Sequence, residues 1–232
     1  VGVTLVTSGP GATNTLTGIA DAMMDSTPLV VITGQVASPL LGTDAFQEID
    51  VIGITQPITK WAYQIRRAED IAWAVSRAFY IASTGRPGPV VLDFAKDAQV
   101  GKVDFEYKPV DYIRSYQPEP EINPDRIAQA AALINQAQKP FCLVGQGVIL
   151  GHAEKELLEF LTKNDIPAAA TTLGLSAMPS NFPLNKGMLG MHGNVGPNRK
   201  TNECDVLIAV GMRFDDRVTG DLKTYAKQAK VI

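Results

Sequence analysis

Cysteine is scarce in this 232-residue chain. Cys142 and Cys204 lie far apart inside apolar runs, without the spacing of a metal site, so both read as reduced, buried thiols and a disulfide framework is excluded. Charge is also sparing and nearly balanced. Lys and Arg number 21 against 24 Asp and Glu, for a formal net charge of −3. No Lys/Arg-rich block is present to track a phosphate backbone, so nucleic acid is not an expected partner. No apolar run approaches the roughly 20 residues of a membrane helix; Gly, Pro or charge cuts each one short, and no membrane partner is expected.

What remains is a foldable composition, 45% hydrophobic and 19% charged, in a chain long enough for two cores. Val1 falls inside an apparent strand and the closing KVI begins another, so both ends are expected to be cuts through a longer protein. Small molecules are the expected ligands.

Val3 to Thr7 reads as a buried strand, Thr13 to Met24 as a helix, and Pro28 to Thr33 as a continuous apolar strand of the kind covered on both faces. Strand, elbow, helix and strand make a βαβ unit. Ala68 to Ser83 is a second helix, with Ala72, Val75, Phe79 and Ala82 on one stripe, and PVVLDF after GRPGP returns to strand. Residues 99–123, rich in Tyr, Pro, Glu and Lys, read as a linker. Asn123 then caps a helix with Pro124 at its first position, and a second α/β series follows: FCLVG, a helix over GHAEKELLEFLTKN, IPAAATT and DVLIAVG. The expected fold is α/β, with two parallel-sheet units over 1–98 and 124–232.

Four segments carry chemistry. GPGATN, Gly9 to Asn14, joins a strand to a helix; its glycines permit a close backbone approach, and phosphate is the first ligand suggested, against a plain tight turn. VGQGVILGHAE places Gly145, Gln146 and Gly147 at a dinucleotide-type elbow, although the third glycine, Gly151, is one residue late for the usual spacing. GMRFDDRVTGD, from Gly211, follows an apolar strand. Arg213 and Arg217 suit bidentate binding of carboxylate or phosphate, with pairing to Asp215 and Asp216 as the alternative. MLGMHG sets Met191 and Leu189 among glycines, a surface for a flat ring, and His192 there lacks the partners of an acid or base. Phe46 and Gln47 of DAFQE either face a ligand or pack their loop, and Lys96 is either a site cation or a solvated charge.

TSGPGATN, TGQV, GTDAFQE, GRPGPVVLDFAKD, MLGMHG and GMRFDDRVTG together, in this order, resemble the large catalytic subunit of acetolactate synthase, also called acetohydroxyacid synthase. The resemblance spans essentially the whole chain, and RFDDR separates it from many other thiamine-dependent enzymes. It implies a partial thiamine-pyrimidine-binding domain over 1–98 and a Rossmann-like central flavin-binding domain over 124–232. The catalytic glutamate, the diphosphate-binding domain and its Mg2+ would lie outside the chain, and no metal site within it.

By resemblance, Pro10 and Asn14 line the aminopyrimidine ring of thiamine diphosphate, with Gln47 beside its reactive side. That replaces the phosphate suggested by GPGATN. FAD would meet Arg86, Gly145, Gln146, Gly147, Thr172, Leu173, Leu189, Gly190, Met191, His192, Gly193, Gly211, Arg213 and Asp215. Gln146 stands where the family commonly has a third glycine, and Ala37 where it has proline. Phe46, Gln47 and Lys96 would surround the substrate channel, and Arg217 would grip the carboxylate of the second 2-ketoacid. The implied activity decarboxylates pyruvate and joins the two-carbon unit to a second 2-ketoacid in branched-chain amino-acid synthesis, the chain alone being inactive. A homodimer or tetramer, with a regulatory small subunit, is the implied assembly. It would be cytoplasmic in a bacterium and organellar if a targeting segment preceded Val1. The competing readings are another thiamine-dependent decarboxylase or oxidase, and a non-catalytic nucleotide-binding module.

Overall fold

A computed structural model describes residues 1–232, which divide into two units, Val1–Glu121 and Ile122–Ile232. The first contains β1 (Gly2–Val6), α1 (Pro10–Asn14), α2 (Leu16–Met24), β2 (Leu29–Gln35), α3 (Val51–Thr55), β3 (Trp61–Ile65), α4 (Asp70–Ser83), β4 (Pro89–Ala95) and α5 (Lys96–Val100). Its strands form a parallel sheet ordered β1-β2-β4-β3. Successive residues of a strand face opposite ways. Val30, Val90 and Leu92 accordingly meet Ala74, Ala78 and Ala82 of α4 on one face, while Val31 and Val91 meet Ala12, Ile19 and Val51 on the other. Both faces of β2 and β4 are thus covered, which explains why their sequences are apolar without alternation.

Four expectations need correction here. The strand expected to be buried over Val3–Thr7 is β1, at the end of the sheet order, with Val3 and Leu5 exposed in this chain. The helix expected over Thr13–Met24 is two helices broken at Thr15, because the GPG elbow starts a turn of its own at Pro10. The fully buried stripe of α4 is Ala74, Ala78, Ile81 and Ala82, with Val75 and Phe79 at its margin; the alanines let the helix sit close to the sheet. Residues 101–121 lack regular structure but are fastened to the first unit. Ser76 Oγ donates to the Lys108 carbonyl at 2.8 Å and accepts the Val110 amide at 2.9 Å, and Ile113 is buried. Lys60 Nζ donates to Tyr116 Oη at 2.9 Å, to the Thr84 carbonyl at 2.7 Å and to the Ile81 carbonyl, so one ammonium holds both the end of α4 and the segment beside it.

The second unit contains α6 (Pro124–Gln136), β5 (Pro140–Val144), α7 (Gly147–Leu150), α8 (Glu154–Asn164), β6 (Ala168–Ala170), β7 (Asn185–Met188), α9 (Val195–Glu203), β8 (Val206–Val210), α10 (Asp216–Thr219) and β9 (Lys230–Val231). Asn123 caps α6 as expected, its side chain accepting the Arg126 amide at 3.1 Å. The parallel sheet runs β7-β6-β5-β8-β9. Cys142 and Val144 face Leu157 and Leu161 of α8, while Phe141 and Leu143 pack with Leu207 on the other side. From β5 the chain proceeds outward through β6 and β7, then returns to β8. The strand order therefore reverses between β5 and β8, the place where such sheets open a crevice at their carboxyl edge.

Candidate functional site

In the first unit the carboxyl edge of the sheet gathers five of the expected residues. Gly9 takes φ 55° and ψ −110°, a backbone open to glycine, and Pro10 follows as the first residue of α1. Pro10 and Asn14, four residues apart on α1, are both exposed. The loop between β2 and α3 returns to this elbow. Gln47, at φ 60°, lays its backbone on Gly9 so closely that a Cβ there would fall 2.7 Å from the Gln47 carbonyl oxygen. The neighbouring Phe46 is 87% exposed, an apolar ring held out toward whatever the edge receives. Lys96 opens α5, where its amide meets the Val36 carbonyl at 3.4 Å and its side chain is exposed.

The loop is stiffened from within. Glu48 accepts the amides of Gly42, Thr43 and Ala45, the last two at 3.2 Å, and these hold its carboxyl below the ordinary carboxylate value despite some desolvation. Asp50 caps α3 through the Gly53 amide at 2.9 Å. Asp97 of α5 accepts the Ser38 amide at 2.9 Å and its hydroxyl at 3.0 Å, which likewise lowers its pKa.

Arg86 is not part of this group. It precedes β4 and so lies at the opposite edge, where its guanidinium donates to Ser26 Oγ at 2.8 Å and to the Met23 and Met24 carbonyls at 3.2 and 3.0 Å, closing the end of α2.

The second unit brings the remaining residues together at its own carboxyl edge, in the loops after β5, β6, β7 and β8. Backbone packs on backbone there. A Cβ on Gly147 would come within 2.6 Å of Gly211 Cα, and one on Gly211 within 2.6 Å of the Val148 nitrogen. Gly145 and Gly147 donate their amides to the Val210 and Gly211 carbonyls at 2.9 and 2.8 Å. These two N–H groups are therefore committed to joining β5 to β8, which narrows the dinucleotide-type reading of the elbow. Thr172 and Leu173 are exposed beside them, and Thr172 Oγ1 lies 3.5 Å from Met188 Sδ.

Leu189 is buried, whereas Met191 and His192 are exposed. Asn198 of α9 grips Gly190 from both sides, accepting its amide at 2.8 Å and donating to its carbonyl at 2.9 Å. Gly193 closes the turn through the Gly190 carbonyl at 2.9 Å. The Met191 amide donates to the Arg217 carbonyl at 2.7 Å, and the Arg217 guanidinium rests 3.4 Å from Met191 Sδ. MLGMHG and RFDDR are thus one structure. Arg213 pairs with Asp215 at 3.4 Å and Arg217 with Asp216 at 3.7 Å, both arginines being largely exposed. Such pairs are worth about 1 kcal/mol or less and yield readily to a bound anion. Asp215 also caps α10 by accepting the Val218 amide at 3.0 Å.

Some of these supports had no sequence signal. Asn198 sits in a polar helix, and Asp93, buried in β4, reads in the sequence as one interruption of an apolar run. Neither cysteine belongs to a site: burial pushes the Cys142 thiol up to about 12 and the Cys204 thiol to about 11. No helix is long and apolar enough to cross a membrane.

Two family models match the chain. "Thiamine pyrophosphate enzyme, N-terminal TPP binding domain" covers residues 1–54 and "Thiamine pyrophosphate enzyme, central domain" covers 127–232. The chain belongs to the thiamine pyrophosphate enzymes. Within them it is homologous along its whole length to acetolactate synthase large subunits. It is 49% identical to the acetolactate synthase large subunit of Corynebacterium glutamicum, 47% identical to the probable acetolactate synthase large subunit of Methanocaldococcus jannaschii and 46% identical to the acetolactate synthase isozyme 2 large subunit of Escherichia coli. All of this chain is covered in each alignment, against 37%, 40% and 41% of those proteins respectively. The chain thus spans about two fifths of their length.

Proposed function

We propose that this chain is the middle portion of a thiamine-diphosphate-dependent carboligase that decarboxylates pyruvate and joins the two-carbon unit to a second 2-ketoacid. The observation that carries the reading is the seating of Gln47 on Gly9. Two segments almost forty residues apart meet there, leaving Pro10, Asn14 and Phe46 exposed around the contact, in a chain homologous throughout to acetolactate synthase large subunits.

The residues fit the pyrimidine end of the cofactor. Pro10 offers a rigid apolar surface, and Asn14 and Gln47 offer amide donors and acceptors to ring nitrogens. Thiamine diphosphate, when bound, supplies the electron sink for decarboxylation and carbon–carbon bond formation. The protein's part would be to orient the ring and to set Phe46 and Lys96 around the substrate channel, the first to exclude water and the second as a cation for substrate carboxylates. The diphosphate and Mg2+ are assigned to residues outside this chain.

The edge of the second unit fits FAD. Leu173, Met191 and Phe214 are exposed apolar groups suited to a flat ring, and Arg213 is a largely exposed guanidinium paired with the half-buried Asp215. The loops at 145–147, 172–173, 189–193 and 211–215 would hold the flavin in a structural role. Arg217 is assigned to the carboxylate of the second 2-ketoacid, for which a planar, always charged fork is suited. Assembly as a dimer or tetramer with a small subunit, and a bacterial cytoplasmic setting, belong to the same reading.

The test is acetolactate formation from pyruvate by the complete protein supplied with thiamine diphosphate, Mg2+ and FAD. Carbon dioxide accompanied by acetaldehyde or acetate would instead make the protein a decarboxylase or an oxidase. Arg217→Lys is expected to impair use of the acceptor ketoacid more than decarboxylation; equal losses in both steps would remove the assignment.

A further inference from the structure

The first unit buries one carboxylate completely. Asp93 of β4 pairs in register with Thr33 of β2 on one side and Gln64 of β3 on the other, and Gln35 lies two residues beyond Thr33 on the same face of β2. Asp93 Oδ1 accepts the Thr33 hydroxyl at 2.7 Å, while Oδ2 accepts amide hydrogens from Gln64 at 2.9 Å and Gln35 at 3.1 Å. Three donors converge, so the arrangement suits an acceptor on both oxygens. Desolvation nevertheless raises the Asp93 pKa above the ordinary value, so this carboxylate is kept at some cost.

Gln35 carries the connection outward. Its other amide hydrogen goes to the Ile49 carbonyl at 2.9 Å, and its Oε1 accepts the Val36 amide at 2.9 Å. Ile49 is two residues from Gln47, whose backbone rests on Gly9. Asp93 and Gln35 are 0% and 5% exposed, too deep to touch a ligand themselves.

We propose that Asp93 and Gln35 are positioning residues, which fix the 42–50 loop to the sheet and thereby hold Gln47 against Gly9, with the exposed Phe46 presented beside it, for cofactor binding. This rests on the thiamine-dependent reading above. Glu48 and Asp50 brace the loop within itself; Gln35 is the side chain that ties its Ile49 carbonyl to the strand core.

Three variants of the complete protein test this: Gln35→Met, Asp93→Asn, and Asp93→Asn combined with Thr33→Val. Amide exchange reports the loop, and intrinsic tryptophan fluorescence reports thiamine diphosphate binding without need of turnover. Gln35→Met removes three hydrogen bonds, of which the one to the Ile49 carbonyl reaches the loop; its loss is expected to speed exchange over residues 44–51 about tenfold and to weaken thiamine diphosphate binding about tenfold. Exchange in β2 and β4 should stay within about twofold, since their backbone ladder is intact. Asp93→Asn should stay close to wild type, because its carbonyl can serve both glutamines while its amide donates to a reversed Thr33 hydroxyl. Adding Thr33→Val should restore the defect. Unchanged cofactor binding in Gln35→Met, or equal loss of protection in the loop and the sheet, would overturn the proposal. A wild-type protein that binds the cofactor yet makes no acetolactate would remove the carboligase reading alone, and one that does not bind it would remove both.

Discussion

Gly9→Ala offers the sharpest test of how the first unit builds its edge. Two costs add. At φ 55° and ψ −110° a residue with a Cβ sits in a sparsely populated region, which costs about 1–3 kcal/mol. The new methyl would also stand 2.7 Å from the Gln47 carbonyl oxygen, 3.0 Å from Gln47 Cβ and 3.1 Å from its Cα. Two of those three atoms are backbone, so no rotamer change relieves the clash, and overpacking of this kind costs about 1–3 kcal/mol more. The expected loss is about 2–6 kcal/mol, a large part of the about 5–15 kcal/mol that holds a domain folded. Gly18→Ala is the matched control. It lies within α2 with nothing within 4 Å of the added Cβ, and should stabilise by up to about 1 kcal/mol through helix propensity. Urea unfolding of both variants reads the difference, with amide exchange over 44–51 as the local measure. If Gly9→Ala unfolds within about 0.5 kcal/mol of wild type and its loop exchanges no faster, the contact between Gln47 and Gly9 does not organise this edge.

Lys60→Met should destabilise the first unit by about 1–3 kcal/mol, since it leaves two carbonyls and a phenol without their charged donor. Limited proteolysis should then cut within 101–118 sooner than elsewhere, and unchanged cleavage there would refute that role for Lys60. With a pKa of about 12, the Cys142 thiol is ionised at pH 8 to only about one part in ten thousand. A thiol reagent should therefore find neither buried cysteine in the native protein and both after denaturation; rapid native labelling would contradict the burial. The carboxylates predict opposite pH signatures. The lowered pKa of Glu48 gives stability that is present above its unfolded value and lost as pH falls through the lower folded one, so Glu48→Gln should flatten the acid limb of the stability curve. Asp93 has a raised pKa, so the wild type loses stability as pH rises from the unfolded to the folded value; Asp93→Asn should gain on it across that range, and parallel curves would refute the assignment.

The strands buried on both faces were legible because burial on both sides leaves an unbroken apolar run, as in LVVIT and PVVL. Asn123 and Pro124 announced α6 for an equally local reason. Two other edge strands gave weaker signals than β1, whose apolar run was legible. The β3 segment WAYQI mixes aromatic and polar residues because its side chains are half-buried, and β7, NKGM, lies at the border of its sheet with no apolar run at all. At the candidate sites, glycines and charged residues marked the loops but not their partners. Arg86 looks in sequence like any exposed cation, and its bonds to the end of α2 depend on residues some sixty positions earlier. The hub around Asp93 was illegible for the same reason, since it exists only once β2, β4 and β3 are aligned in register.

The two units hold their carboxyl edges by different physics, and their tolerance of change should differ accordingly. In the first, a loop is tied to the sheet through side chains, from Asp93 to Gln35 to the Ile49 carbonyl. Replacement by a group of similar shape and matching hydrogen-bond capacity can preserve such a link, while an apolar isostere breaks it. In the second, β5 and β8 are joined by backbone packed on backbone at Gly145, Gly147 and Gly211, where no side chain of any chemistry fits. Gln146 lies between two of these glycines and is half-buried, so its side chain already has room that its neighbours lack. The steric demand of the loop thus rests on Gly145 and Gly147, each of which meets Gly211, and not on the residue between them.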